Sequence, residues 1–270
     1  MILALALVAP LLAVEPSLGL VFFGDSGTGR EGQQRVAQGV AAYCAAQRCD
    51  LLALLGDNIN PGGVTGIDDP QWQYKVEDPY GTLGLVIRPV LGNHDHRGDA
   101  DAQVRYSDAS ALWDMPAPTY AFEQGPVAFF ALDTQHMDRR QRRWLARGLR
   151  HSTAPWTVVY GHHPLRSHGV HGPAQGRLRR IERLVERHAD FYLSGHDHDQ
   201  QVIRGQATHV VMGSGGSPPR PVQEGPDTLY AASQRGFGHL LLSPQLAVLT
   251  VVRANGEPVF VYEVSAEPTD

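Results

Sequence analysis

The stretch LLALLGDNINPGG, Leu51 to Gly63, begins as a buried strand and ends in a polar loop broken by Pro61, Gly62 and Gly63. Five consecutive apolar residues deliver one carboxylate, Asp57, to the turn at the strand's carboxyl end. Open α/β sheets place their ligand chemistry at that position. The same punctuation recurs along the chain. Leu18 to Phe23 runs into Gly24-Asp25-Ser26-Gly27, and Arg88 to Leu91 into Gly92-Asn93-His94-Asp95. Thr157 to Tyr160 runs into Gly161-His162-His163, and Phe191 to Leu193 into Gly195-His196-Asp197-His198.

Between these strands lie segments with helical spacing of apolar residues: Gln33 to Ala46, Arg139 to Leu149 with Trp144 and Leu145 on the apolar side, and Ile181 to Arg187. Val127 to Leu132 is a further strand. From Val202 onward strands dominate, over Ala207 to Met212, His239 to Leu242, Ala247 to Val252 and Pro258 to Val264. This rhythm predicts an α/β chain with a β-rich C-terminal half, folded as one domain over residues 18–270. The longest irregular stretches, Pro61 to Pro79 and Arg97 to Pro118, are of a length that is often functional.

A chain of 270 residues with 42% hydrophobic and 19% charged residues can bury a sizeable core. Its formal net charge of −5 argues against a general nucleic-acid binder. The positive charge is almost entirely arginine, Lys75 being the only lysine. Residues 1–13 are apolar over the length of a leader's core, with small residues near Ala13 but no basic start. Residues 1–17 therefore read either as a signal peptide, implying a periplasmic or secreted protein, or as an N-terminal extension of a cytoplasmic one. The stretch is too short for a membrane span. Cys44 and Cys49 sit badly for a shared helical face. They pair only if the chain leaves the helix between them, and two free thiols are the alternative.

One Gly-Asp at a strand end is an ordinary turn. Five such ends, all supplying Asp, Asn or His, form a ligand set larger than one ion needs. Asp25, Asp57, Asn93, His162, His196 and His198 suit two ions a few ångströms apart that share one carboxylate. Such a pair clamps a phosphoryl group and makes water acidic enough to react near neutral pH.

The blocks GDSG (24–27), LGDN (55–58), GNHDH (92–96), VYGHHP (159–164) and SGHDHD (194–199), with LDT at Leu132 to Thr134 and HGP at His171 to Pro173, resemble the calcineurin-like metallophosphoesterases. Within them, the chain is most similar to the small, tartrate-resistant type of purple acid phosphatase. The resemblance runs from Leu18 to Val252. It implies a two-sheet β-sandwich flanked by helices, with a dimetal site at the strand ends. It implies a first metal site of Asp25, Asp57 and His198, and a second of the bridging Asp57 with Asn93, His162 and His196. His94 would hydrogen-bond the substrate phosphate, and His171 would bind substrate or donate a proton. The implied reaction is direct hydrolysis of a small phosphate ester, with a metal-bound hydroxide attacking phosphorus in line. Asp95, Asp197 and Asp199 read as residues that form turns or orient the ligand histidines. His163 and His168 read as loop histidines, and His96, His136, His151, His188, His209 and His239 are assigned no role.

The departures from the family are specific. Purple acid phosphatases carry a tyrosine three residues after the bridging aspartate, whose tyrosinate binds ferric iron; here that position is Asn60. Other branches place a histidine two residues after the first aspartate; here that is Gly27. The expected cofactors are therefore two ions from iron, manganese or zinc, without a purple tyrosinate–ferric site. Asn60 is a candidate amide-oxygen ligand. A monoesterase is the leading reading. A phosphodiesterase or nucleotide pyrophosphohydrolase, and a metal-binding protein with degraded catalysis, are the alternatives. The loops Pro61 to Pro79, Arg97 to Pro118 and Ser214 to Pro226 would decide substrate fit.

Overall fold

Along Val127–Leu132 (β5) the side chains alternate between two apolar surroundings. Phe129 and Ala131 point into a core shared with Leu20, Phe22 and Leu54, whereas Ala128, Phe130 and Leu132 pack under Leu145, Leu149, Ile181 and Val185. That period of two is the pleat of a strand covered on both faces, which explains why its residues are apolar without a break. The computed structural model describes residues 17–266, so the apolar stretch of residues 1–13 lies outside them.

The element order is β1 (Leu18–Phe23), α1 (Glu31–Cys44), β2 (Leu51–Leu54), α2 (Asp78–Tyr80), β3 (Val86–Ile87), α3 (Ala100–Arg105), β4 (Tyr120–Gln124), β5, α4 (Arg139–His151), β6 (Trp156–Gly161), α5 (Leu178–His188), β7 (Phe191–Ser194), β8 (Gln200–Ile203), β9 (Thr208–Met212), β10 (Thr228–Ala232), β11 (Gly236–Leu242), β12 (Leu246–Arg253) and β13 (Pro258–Ser265). One sheet has six strands in the order β13-β12-β11-β1-β2-β3; the other has seven, β10-β8-β9-β7-β6-β5-β4. Strands β1, β2 and β3 are parallel to one another, as are β5, β6, β7 and β9. Residues of both sheets share one core, α1 packs its Val36, Val40 and Tyr43 into it, and α4 and α5 cover the outer face of the second sheet. This is the two-sheet sandwich flanked by helices that the sequence predicts.

Three differences from the sequence reading have physical causes. Arg88 to Leu91 is not a strand: the ladder ends at Ile87. Beyond it Arg88 and Val90 still donate to β2, at 2.8 and 2.9 Å, but Pro89 faces away from β2 and has no N–H to continue the outer bond that Ile87 makes to the Leu112 carbonyl. The edge strands β4 and β10 were not expected; both are half exposed, so their apolar signal is diluted. The two long irregular stretches contain helical turns, and Trp72 of the first stacks on Tyr106 of the second at 3.7 Å between ring centroids. Cys44 and Cys49 form a disulfide with their Cα atoms 5.6 Å apart. The helix ends at Cys44, and the intervening turn brings the chain back.

Candidate metal centre

Asp25, Asp57 and His196 are the described non-glycine residues with positive φ, at 56°, 53° and 67°. Each follows a glycine at the end of a parallel strand, and each is a ligand read from the sequence. Left-handed backbone in such residues is strained and persists where the surroundings over-determine it. The neighbouring glycines are what allow the approach. A Cβ at Gly92 would lie 2.2 Å from Asp57 Oδ1, and one at Gly195 would lie 2.6 Å from Asp25 Oδ2.

The strand ends of the two sheets converge, so residues far apart in sequence become neighbours. His162 Nδ1–H donates to the Leu55 carbonyl at 2.9 Å, which leaves Nε2 as a bare lone pair. That lone pair faces Asn93 Oδ1 at 3.1 Å, His196 Nδ1 at 3.2 Å and Asp57 Oδ1 at 3.6 Å. On the other side, His198 Nε2 lies 3.2 Å from Asp25 Oδ1, a buried oxygen with no hydrogen-bond partner. Asp25, Asp57 and His162 present ligand atoms within 4.8 Å of one another.

The electrostatics of this cluster are unfavourable without a cation. Burial, then repulsion from Asp57, raises the Asp25 carboxyl well above its ordinary range, and burial raises Asp57. Burial, then the neighbouring His163, presses His162 far below the usual histidine value. Burial and His162 do the same to His196, and burial and Arg220 lower His198. Neutral imidazoles and converging oxygens are the forms that bind metal ions. The residues present therefore fit a two-ion centre, and the chemistry of the donors explains the orphaned Asp25 oxygen.

His94 and His171 flank the cluster. The His94 backbone N–H donates to Asp57 Oδ1 at 2.8 Å, and its Nδ1 to the Pro61 carbonyl at 2.6 Å. Its Nε2 is turned toward Asp57 Oδ2, 3.7 Å away, on the side of a cavity of about 660 Å³. His171 stacks on His196, with ring centroids 4.2 Å apart, and its Nδ1 is held by the buried Asp197 at 2.7 Å. Asn60 lines the cavity, but its Nδ2 donates to the Asp57 carbonyl at 3.3 Å and so closes the turn. The Asn60 carbonyl in turn accepts from Lys75 Nζ.

Residues given little weight from sequence also enter the site. His163 packs against the His162 and His196 rings at 5.0 and 4.5 Å, with Nδ1 on Thr134 Oγ1 at 2.8 Å. The doubled histidine after Gly161 was the available signal. Arg220 reaches His171 Nε2 at 3.4 Å from the Ser214 to Pro226 loop, and only that loop's path reveals it. Arg30, Arg35 and Arg235 line the same cavity. Asp95 is a hub that accepts from the backbone of Asn58, Ile59 and Gly92 and from Gln103, which fixes the Asp57 and Asn93 loops against each other. His96, assigned no role, donates to Asp133 at 3.1 Å. His168 bonds Asp227 at 2.8 Å, away from the ligand cluster.

The model of the Calcineurin-like phosphoesterase family matches residues 19–200. The chain belongs to that family. Its membership implies a dinuclear metal centre and makes it a metal-dependent phosphoric ester hydrolase. Mouse tartrate-resistant acid phosphatase type 5 is 28% identical over 305 residues, covering 95% of this chain and 93% of its own length. Purple acid phosphatase 4 of Arabidopsis thaliana is 28% identical over 231 residues, covering 74% and 68%. Among solved structures, GAP50, the anchor in the inner membrane complex of Plasmodium, superposes with a TM-score of 0.84 at 23% identity, covering 94% of this chain and 90% of that one. The yellow lupin purple acid phosphatase PPD1 gives 0.74 at 15% identity, covering 93% and 54%. These likenesses to solved structures carry the fold.

Proposed function

We propose that this calcineurin-like phosphoesterase hydrolyses small phosphomonoesters, using two divalent ions held by Asp25, Asp57 and His198 on one side and by Asp57, Asn93, His162 and His196 on the other. The observation that supports this most strongly is the lone-pair cluster around His162 Nε2 and Asp57, which opens beside His94 into a cavity lined by four arginines. Bound there, the ions would neutralise phosphoryl charge and acidify water. Their divalent character follows from the donors: Asn60 supplies a neutral amide where a tyrosinate would favour ferric iron. Lys75, whose ammonium is held by neutral oxygens of Asn60 and Gln71, adds positive charge beside that half.

The chain's own residues then bind and orient the ester. His94 is committed through Nδ1 to the Pro61 carbonyl, so only its imidazolium offers an N–H at Nε2 to a phosphate oxygen. Arg220, Arg235, Arg30 and Arg35 complement an anionic substrate. Asp197 fixes the hydrogen of His171 on Nδ1, and Nε2 faces Arg220. Once Arg220 turns to the substrate phosphate, Nε2 is free to take up a proton, and the imidazolium so formed can pass it to the departing alcohol. The Cys44–Cys49 disulfide, with the apolar residues 1–13, supports a periplasmic or secreted location.

The test pairs elemental analysis with a substrate panel. Two ions per chain, and faster turnover of an aryl monoester than of the matching diester, are expected. Preference for the diester would replace the monoesterase reading with the diesterase one. Two ions without any turnover would replace it with a metal-binding protein.

A further inference from the structure

We propose that the outer face formed by α4 and α5 docks on an anionic lipid bilayer. The sequences RRQRRWLARGLRH and LRRIERLVERH each bury a narrow apolar stripe, Leu145 and Leu149 on one and Ile181 and Val185 on the other. The rest of the pair is dominated by arginine. Ten arginines against Glu182 and Glu186 give these two helices a formal charge of +8, which leaves −13 on the rest of a chain whose net charge is −5.

The two carboxylates do not neutralise the face, because they are turned away from it. Glu182 accepts from Arg166 at 3.0 Å; Glu186 accepts from Arg166 at 3.2 Å, from His209 at 2.5 Å and from the Gln206 N–H at 2.8 Å. Among the described residues, the arginine ion pairs within 4.0 Å involve none of the ten. Several stand four apart, as Arg139, Arg143 and Arg147 do, and Arg179, Arg183 and Arg187. Like charges at that spacing destabilise a helix. The helices gain stability when an anionic surface faces them.

The shape selects the partner. α4 and α5 lie side by side, and arginines are the majority of the residues lining the two hollows on this face, with Arg142 and Arg143 common to both and Asp138 the one carboxylate. A planar guanidinium fork suits phosphate oxygens. The large exposed apolar side chains, Ile67, Tyr74, Val86, Val170 and Val261, all lie elsewhere, so the face offers no exposed Trp, Tyr or Phe on which a single-stranded nucleic acid could stack. The negative remainder of the chain repels a long polyanion that would wrap beyond the two helices. A bilayer meets one face only, and phosphate headgroups in a plane match it.

The experiment uses the full chain and vesicles of phosphatidylcholine with or without phosphatidylglycerol, read by co-sedimentation. Binding to the anionic vesicles alone, weakening as salt is raised, is the expected result. Replacing the exposed Arg143, Arg147 and Arg183 by Gln should weaken binding on the order of a hundredfold, at roughly fivefold per charge. The Lys versions of the same three positions should bind within a few-fold of the parent, which separates lost charge from lost packing. Arg253→Gln, on the opposite sheet, should change nothing, and aryl phosphatase activity reports that each variant is folded. Equal binding to neutral vesicles, undiminished binding of the triple Gln variant, or tighter binding to a DNA duplex at the same salt would each overturn the proposal.

Discussion

The two halves of the proposed metal centre are unequally furnished. Around His162 Nε2 the structure gathers Asn93, His196 and Asp57 at 3.1 to 3.6 Å, four donors, three of them from strand ends and Asn93 from a loop, in one interlocked group. Around Asp25 it gathers only His198, at 3.2 Å, and the shared Asp57, with Asn60 engaged in its own turn. The poorer half is also the one bordered by cations, Arg220, whose backbone N–H donates to the His198 carbonyl at 2.7 Å, and Lys75 beneath Asn60. The difference teaches that one side of the site can hold an ion tightly by itself, while the other depends on the bridging carboxylate.

The severest way to break that comparison is Asp57→Asn, which removes the bridge. Turnover of an aryl phosphate should fall to background, and elemental analysis should show the ion of the Asp25 and His198 half lost. An Asn variant that keeps two ions would refute the bridging role. The halves themselves are separated by His198→Ala and His162→Ala. Each should drop the metal content toward one ion, and the His162 variant, whose remaining ion would sit in the poorer half, should release it at the lower chelator concentration. Equal release from both variants would show the halves to be equivalent.

A smaller effect sharpens the role of the rim. Asp197→Asn keeps the shape but weakens the hold on His171 Nδ1, and the loss should be roughly 10- to 100-fold, the range for residues that orient a working histidine. The loss should lie in kcat more than in KM, and an unchanged kcat would remove His171 from proton transfer. The smallest effects come from restoring what the poorer half lacks. Gly27→His cannot supply a ligand, because a Cβ there would lie 1.7 Å from the Asn58 carbonyl oxygen. It should lower stability by about 1–3 kcal/mol, as overpacked sites do, read by denaturant melts. Asn60→Tyr faces the open cavity and should fold normally. Loaded with iron it should gain a visible charge-transfer band absent from the parent, and an intense band in the parent would contradict the assignment at Asn60.

Much of this was legible in the residues. The apolar runs before Gly24, Gly56, Gly161 and Gly195 are the parallel strands, because a strand covered on both faces must be apolar throughout. The ligands follow those glycines directly, so position and chemistry were read together. What was illegible came from edges and loops. β4 and β10 are half exposed and lack a clean period, and Pro89 ended a strand whose apolar pattern ran on. Arg220 and Arg235 sit in segments with no periodicity, and only the folded path turns them toward the cavity. Nor does a list of arginines tell which carboxylates they meet; Arg166 takes both glutamates of α5.

By itself the sequence determined which chemistry is available: six Asp, Asn and His ligands at strand ends, no tyrosine at position 60 and no histidine at position 27. It did so because backbone turns and ligand identity are local properties. Only the tertiary structure decided that two sheets bring these ends together, that Gly27 has no room for a side chain, and that the arginines of α4 and α5 meet no carboxylate among the described residues. Those outcomes depend on which atoms approach across hundreds of residues, and on burial, which turns a row of ordinary carboxylates and imidazoles into a cluster that calls for cations.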